Sequence, residues 1–234
     1  MNDTFHKFPR TPHLLWLGEN SPREDKLLAR ADAEEFLQHE VVVEEKVDGA
    51  NLGLSVGPDG RIRAQSRGNY LAPGHSHAQW NPLWPWLARR EGLLTDRLGR
   101  ELMLFGEWCH ARHTIRYESL PDWFLLFDVF ESATRIFWSS ERRKILADEL
   151  GLCTVPAVFR GRLTLQRVPT LVVPSALGSP SMEGIYLRRD NEAIGQLIAR
   201  AKVVSAEFQQ QIEEHWMRRP LIPNRLSIPR GMSC

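Results

Sequence analysis

The stretch that most constrains the fold runs from Val41 to Val56, VVVEEKVDGANLGLSV. Apolar and β-branched residues lead into an Asp48-Gly49 pair and resume an alternating pattern beyond it, which predicts two strands joined at a tight corner. Gly-Pro-Asp-Gly at 57–60 is a second turn sequence and leads into RIRAQSR. Three neighbouring strands with such short connections are expected to be antiparallel. In that reading Gly49 supplies a left-handed corner, and Lys46 is either a solvated turn residue or a nucleophile held between two strands.

The rest of the chain alternates short helices with strands. ADAEEFLQH has Asp32 at N-cap position and Glu35 three residues later, a capping-box spacing that predicts a helix from about Ala33. NPLWPWLARREGLL reads as a helix begun or interrupted by Pro85, its tryptophans as core. ELMLFGEW and WFLLFDVFE have the length and apolarity of strands, and SSERRKILADEL is a Ser-capped helix. MEGIYLRR and IARAKVV read as strands after a PSALGSPS loop, and SAEFQQQIEEHW as a closing helix capped by Ser205. No internal repeat or linker interrupts the pattern, so the expected class is α+β, antiparallel sheets with flanking helices.

Composition narrows the setting. The 234 residues are enough for one domain with a sizeable core, and 42% hydrophobic with 25% charged content is ordinary for a globular protein. No apolar run approaches membrane-spanning length and the first residues lack a signal-peptide core, so no membrane association and a cytoplasmic location are expected. Cys109, Cys153 and Cys234 are too few and too scattered for a disulfide framework or zinc motif, which predicts reduced thiols. Net charge is only +1, but it is unevenly spread. Seven acids and one base lie between Ala31 and Asp48, whereas Arg218, Arg219, Arg225 and Arg230 follow Glu214 with no acid. That tail reads equally as a phosphate-backbone contact or a solvated terminal arm.

The K-x-D-G match at Lys46 would arise by chance in roughly one chain in twenty of this length. More specific is the ordered set KVDGAN (46–51), SRGNYL (66–71), FGEW (105–108), LLFDVF (125–130), MEGIYLRR (182–189) and RAKVV (200–204). Together these resemble motifs I, Ia, III, IIIa, IV and V of the covalent nucleotidyltransferases, the superfamily of ATP-dependent ligases and mRNA capping enzymes. The resemblance implies an adenylation domain, of ATP-grasp-like ligase type, in which Lys46 takes up a nucleoside monophosphate from ATP. It further implies Glu45 beside adenine, Arg67 at the ribose and 3′-OH end, Glu107 on a ribose hydroxyl or hydrated metal, and Phe127 stacked on adenine. Glu183 matches the Mg²⁺ or Mn²⁺ ligand, with Glu107 as a second metal-side carboxylate, and Lys202 the lysine on the α-phosphate. Arg200 stands where relatives often carry another lysine. His110 and His113, just after motif III, read more readily as hydrogen-bonded groups than as metal ligands.

The chemistry requires an unprotonated amine, yet a lysine of pKa ~10.4 is only about one part in a thousand unprotonated near pH 7.5. Glu44 and Glu45 favour the ammonium, so cationic neighbours such as Lys202 or a divalent ion must outweigh them. Strand periodicity puts Glu44 on the Lys46 face and Glu45 on the other, whereas the resemblance points to Glu45 as the adenine-side neighbour.

Asn51 makes KVDGAN similar to the RNA ligases of the phage RNA ligase 2 group rather than to DNA ligases, and GEWCHARHTIRY also resembles bacterial and phage RNA ligases. The expected activity is ATP-dependent joining of RNA 5′-phosphate and 3′-hydroxyl ends through lysyl-AMP. A DNA nick ligase and a non-ligating nucleic-acid-binding relative are the alternatives. The expected organisation is an adenylyltransferase domain over 1–204, then a helix and arginine-rich tail over 205–234 with no separate OB domain. Substrate engagement would rest on the catalytic domain and tail, or on a partner protein in RNA repair.

Overall fold

Val41–Lys46 forms strand β1 and Ala50–Val56 forms β2, but the two do not pair. In the computed structural model, which describes residues 5–19, 27–74, 77–211 and 220–227, β1 lies in a four-stranded sheet and β2 in another. The Asp-Gly corner is therefore a crossing between sheets and not the expected hairpin. Gly49 is not left-handed either; it is needed because a Cβ would lie 3.0 Å from the Trp108 carbonyl oxygen and 3.1 Å from Cys109 Sγ. The Gly-Pro-Asp-Gly turn does make a hairpin, from β2 to β3 (Ile62–Gln65), with Gly60 at φ +78°.

The second sheet continues through β4 (Leu102–Trp108), β5 (Phe124–Glu131) and a short β6 (Ile136–Phe137), in the order β3-β2-β4-β5-β6. β7 (Cys153–Thr154) pairs parallel to β5. In the first sheet β1 sits between β8 (Ala157–Gly161) and β9 (Gly184–Asn191), and β9 turns back into β10 (Gln196–Val204). Sheets and helices give the expected α+β class, and the strands named above pair antiparallel except β5–β7.

Helices cover the outer faces. α1 (Arg30–Leu37) starts earlier than the capping box implies, and no side chain caps it. Its Phe36 and Leu37 pack with Val41, Val43, Ile185 and Leu187. The tryptophan-rich segment becomes two helices, α2 (Leu83–Ala88) and α3 (Glu91–Leu98), and Trp80, Trp86 and Trp108 join one core with Leu52, Leu104 and Phe124. α4 (Ser140–Leu150) is capped by Ser139, whose Oγ accepts from Arg142 N, and ends at a left-handed Gly151. Ser205 caps α5 (Ala206–Gln211), accepting from Phe208 N. Cys109 is a free, buried thiol and Cys153 is buried, while Cys234 lies outside the described residues.

The two sheets are riveted by buried charge. Arg188 on β9 is wholly buried and donates to Asp128 Oδ1 at 2.6 Å, to the Phe127 carbonyl at 3.0 Å and to the Trp138 carbonyl at 2.8 Å. Arg200 on β10 donates to the other Asp128 oxygen at 3.0 Å. Arg143 on α4 pairs with Glu44 on β1 and also donates to the Phe127 carbonyl. Removing one member of such a network leaves its partners charged and poorly matched in a dry interior. Asp128→Ala is therefore expected to lower unfolding free energy by about 3–5 kcal/mol in a urea melt, well beyond the cost of an exposed Asp→Ala change.

Candidate functional site

The crossing from β1 to β2 opens a cavity of about 840 Å³ between the sheets. Lys46 is the last residue of β1, opposite Gly184 across the β1–β9 ladder. Its Nζ lies 2.6 Å from Glu183 Oε1. Asn51 and Glu107 stand directly opposite one another on β2 and β4, and Lys202 opposite Tyr186 on β10 and β9. Phe127 projects from β5, its ring edge-on to Phe8 with centroids 5.0 Å apart. Arg67 follows β3 in an exposed turn closed by Ser66 and Asn69. Glu45, Lys46, Asn51, Arg67, Glu107, Phe127, Glu183 and Lys202 all line this one cavity.

Arg200 is placed differently. Its guanidinium pairs with Asp128 and lies 3.9 Å from the centre of the Phe137 ring, outside the cavity lining. Glu44 does share the Lys46 side of β1, as the alternation requires, but its carboxylate is consumed by Arg143. Glu45 accepts from Ser175 Oγ and Ala176 N, so the loop before β9 fixes it in the wall. Burial pushes the Glu45 carboxyl above its ordinary pKa despite those two bonds.

Around Lys46 the carboxylates outnumber what burial can easily hold. Burial alone would lower the Lys46 pKa, but Glu183, Glu107 and Asp48 outweigh it and hold the ammonium above its ordinary value. Glu107 is pushed up to about 8 by burial, partly offset by Lys46 and increased by Glu183 and Asp48. Glu183 rises to about 7, again through burial, with Lys46 and Lys202 pulling the other way. Glu107 Oε2 is buried with no hydrogen-bond partner. An orphaned carboxylate oxygen facing a second carboxylate is a hard-oxygen donor set that fits Mg²⁺ or Mn²⁺. Among the described residues no three His, Cys, Asp or Glu converge into a cage, so phosphate and water would have to supply the remaining ligands.

Several members of the site escape sequence reading. Asp48 has more to do than turn the chain: its Oδ2 accepts from Thr114 N at 2.7 Å and Ile115 N at 2.8 Å, and its own N–H donates to Tyr117 Oη at 2.8 Å. His113 faces Gln79 Oε1 at 3.2 Å on the far wall. Phe8, Thr11 and Tyr186 complete the wall beside Phe127 and Lys202. The charged Asp128 and Arg188, set within apolar strand runs, were the available signal for the buried network.

A family model for RNA ligase matches residues 39–204. No curated protein matches the chain. Among solved structures it is similar to the Naegleria gruberi RNA ligase. An apo mutant of that enzyme superposes with a TM-score of 0.65 at 17% identity, covering 91% of this chain and 59% of that one. A mutant with ATP and Mn gives 0.64 at 18%, covering 91% and 60%, and a mutant with AMP and Mn gives 0.63 at 18%, covering 90% and 59%. The chain thus spans about three-fifths of these structural relatives, and at such identities the likeness is one of fold. With the family model running from the residues before β1 to the end of β10, the chain belongs to the RNA ligase family.

Proposed function

We propose that this chain catalyses ATP-dependent RNA ligation in three steps. Lys46 Nζ attacks the α-phosphorus of ATP, the bond to pyrophosphate breaks, and lysyl-AMP forms. AMP then passes to an RNA 5′-phosphate, releasing Lys46, and a 3′-hydroxyl displaces AMP to leave a phosphodiester. The observation that carries the reading is the 2.6 Å contact of Lys46 with Glu183, in a cavity that also presents Glu107 and Lys202. The Naegleria gruberi structures with ATP and Mn and with AMP and Mn support the same ligands here.

Roles follow from position. Phe127 and Glu45 suit adenine, Asn51, Glu107 and Arg67 the ribose side, and Lys202 the α-phosphate, where fixed positive charge stabilises pyrophosphate departure. Arg200 acts indirectly, fixing β10 against β5 through Asp128. Because three carboxylates favour the Lys46 ammonium, attack requires their charge to be offset. Glu107 and Glu183 would hold a divalent cation, which would supply that offset and neutralise charge on the triphosphate. Residues 1–204 would form the adenylyltransferase domain. Among the described residues no helix is long and apolar enough to cross a membrane; a cytoplasmic location and a partner in RNA repair belong to the same proposal.

The test is incubation with α-labelled ATP and Mg²⁺, followed by nicked duplexes of RNA or DNA. Lys46→Ala and Lys46→Arg should both abolish the covalent label, the latter because a guanidinium stays protonated. Glu183→Ala and Lys202→Ala should lower the labelling rate by roughly ten- to a thousandfold. Absence of label on the unmodified chain overturns the enzyme reading, and sealing of DNA alone overturns the RNA assignment.

Glu107 carries a second prediction. With its folded pKa at about 8, it keeps a proton between its ordinary value and pH 8 that the unfolded chain has released. Stability therefore falls as pH rises through that window. Glu107→Gln removes the penalty, so its Tm should exceed that of the parent chain at pH 8 and converge with it near pH 4, while labelling falls. A Tm gap independent of pH would contradict the assigned titration.

A further inference from the structure

The basic tail reads from charge alone as an RNA contact or a solvated arm. Arg218, Arg219 and Arg230 lie outside the described residues, but Arg225 lies within them and faces Glu118 at 3.3 Å on the surface. Asn224 is buried, and its side chain uses both ends: Nδ2 donates to the Cys109 carbonyl at 2.8 Å and the Ala111 carbonyl at 3.3 Å, while Oδ1 accepts from Tyr117 N at 3.0 Å. Main-chain bonds flank it on both sides. Asn224 N donates to the His110 carbonyl, Arg225 N to Tyr117, and Ser227 N to Leu120, while the Ile222 and Arg225 carbonyls accept from Arg112 N and Leu120 N. Residues 220–227 are thus laced along the segment from Cys109 to Leu120.

That segment has no regular secondary structure of its own, and its amides are the ones that hold the turn after Lys46. Thr114 N and Ile115 N donate to Asp48 Oδ2, and Tyr117 Oη receives the Asp48 N–H. Asn224 bonds to the backbone of Tyr117, and Asp48 bonds to the hydroxyl of the same residue. Cys109, at the other end of the Asn224 contacts, is also the residue whose Sγ would lie 3.1 Å from a Cβ at Gly49. From the terminal segment to the crossing that places Lys46 there is an unbroken chain of buried hydrogen bonds.

We infer that residues 220–227 are a built-in strap of the adenylylation site, with Asn224 a positioning residue that holds the Cys109–Leu120 segment, and through it Asp48, in the geometry that aims Lys46. Asparagine suits the place because it alone offers two donors and an acceptor on a short planar group. Alanine would leave Tyr117 N and two carbonyls unmet in a dry interior. The groups that surround nucleotide in the proposed reaction, Glu45 and Phe127, are anchored elsewhere, by Ser175 and by Arg143 and Arg188. Loss of the strap should therefore slow formation of lysyl-AMP far more than it weakens ATP binding.

The catalytic readout rests on the proposed role of Lys46. Three chains are compared with the full one: Asn224→Ala, Arg225→Ala and a chain trimmed after Met217. Asn224→Ala and the trimmed chain should form lysyl-AMP at least about tenfold more slowly, with the KM for ATP changed by less than about threefold. A synthetic peptide of residues 218–234 should restore the trimmed chain saturably, and Arg225→Ala should label like the full chain. An Asn224→Ala chain labelling at the full rate overturns the inference, as does an equal loss in Arg225→Ala. If the trimmed chain does not fold, the two point variants decide alone. If the full chain takes no label, the ligase reading fails, and the strap is judged by amide exchange. Faster exchange at Thr114 and Ile115 in Asn224→Ala then upholds it, and unchanged exchange overturns it.

Discussion

Everything in the site depends on the chain leaving one sheet and entering another within three residues, Val47, Asp48 and Gly49. Had β1 and β2 paired, their backbones would lie about 4.8 Å apart, too close for any cavity between them. Because they part, Lys46 ends β1 in one sheet and Asn51 stands second in β2 in the other, and the space between is the pocket. A crossing this abrupt cannot be stabilised by ladder bonds, so side chains and packing substitute for them. Asp48 binds two amides and a tyrosine hydroxyl, and Gly49 lets the chain pass against Trp108 and Cys109.

Two sets of charges serve opposite ends in the same interior. Beneath the pocket, Glu44, Asp128 and Asp190 face Arg143, Arg188 and Arg200, and carbonyl acceptors supplement them. Such a network holds the sheets in register without offering reactivity, because each charge faces one of opposite sign. At the pocket wall, Glu107, Glu183 and Asp48 face Lys46, and one Glu107 oxygen has no partner at all. That imbalance is unfavourable for folding and useful for binding cations, and functional sites are where such local violations concentrate. The two sets meet at Phe127, whose carbonyl accepts from Arg143 and Arg188 while its ring faces the cavity. Rigidity in the lower set is thereby passed to the Phe127 ring in the cavity wall.

How much of this the sequence disclosed depended on the range of the interaction. Strands β1 to β5, β9 and β10 and the helices follow from local pattern and caps, Ser139 and Ser205 among them. The eight residues that share the cavity were legible because their order along the chain resembles a family, not because any spacing brought them together. The pairing of β1 was not legible: an Asp-Gly between apolar strands writes a hairpin and a crossing in the same letters. β8 was missed because AVFRG is short and edge-placed, with little apolar alternation. Arg200 was misleading for a related reason. Its neighbour across the ladder is Arg188, and only the fold reveals that both answer to Asp128.

The tail shows the same limit from the other side. Charge is conspicuous in a sequence and draws the eye to the arginines, yet Arg225 holds only a surface pair of the kind that contributes little. Asn224 is silent in composition, periodicity and charge, because what matters is the number of hydrogen bonds an amide can complete once buried. Those bonds are worth making only where a segment lacks secondary structure, and the Cys109–Leu120 segment is such a place. It must stay irregular because its amides are turned toward Asp48 instead of toward a neighbouring strand. A loop that spends donors on the turn after Lys46 needs a second source of order for its remaining carbonyls, and the segment around Asn224 is where this chain supplies it.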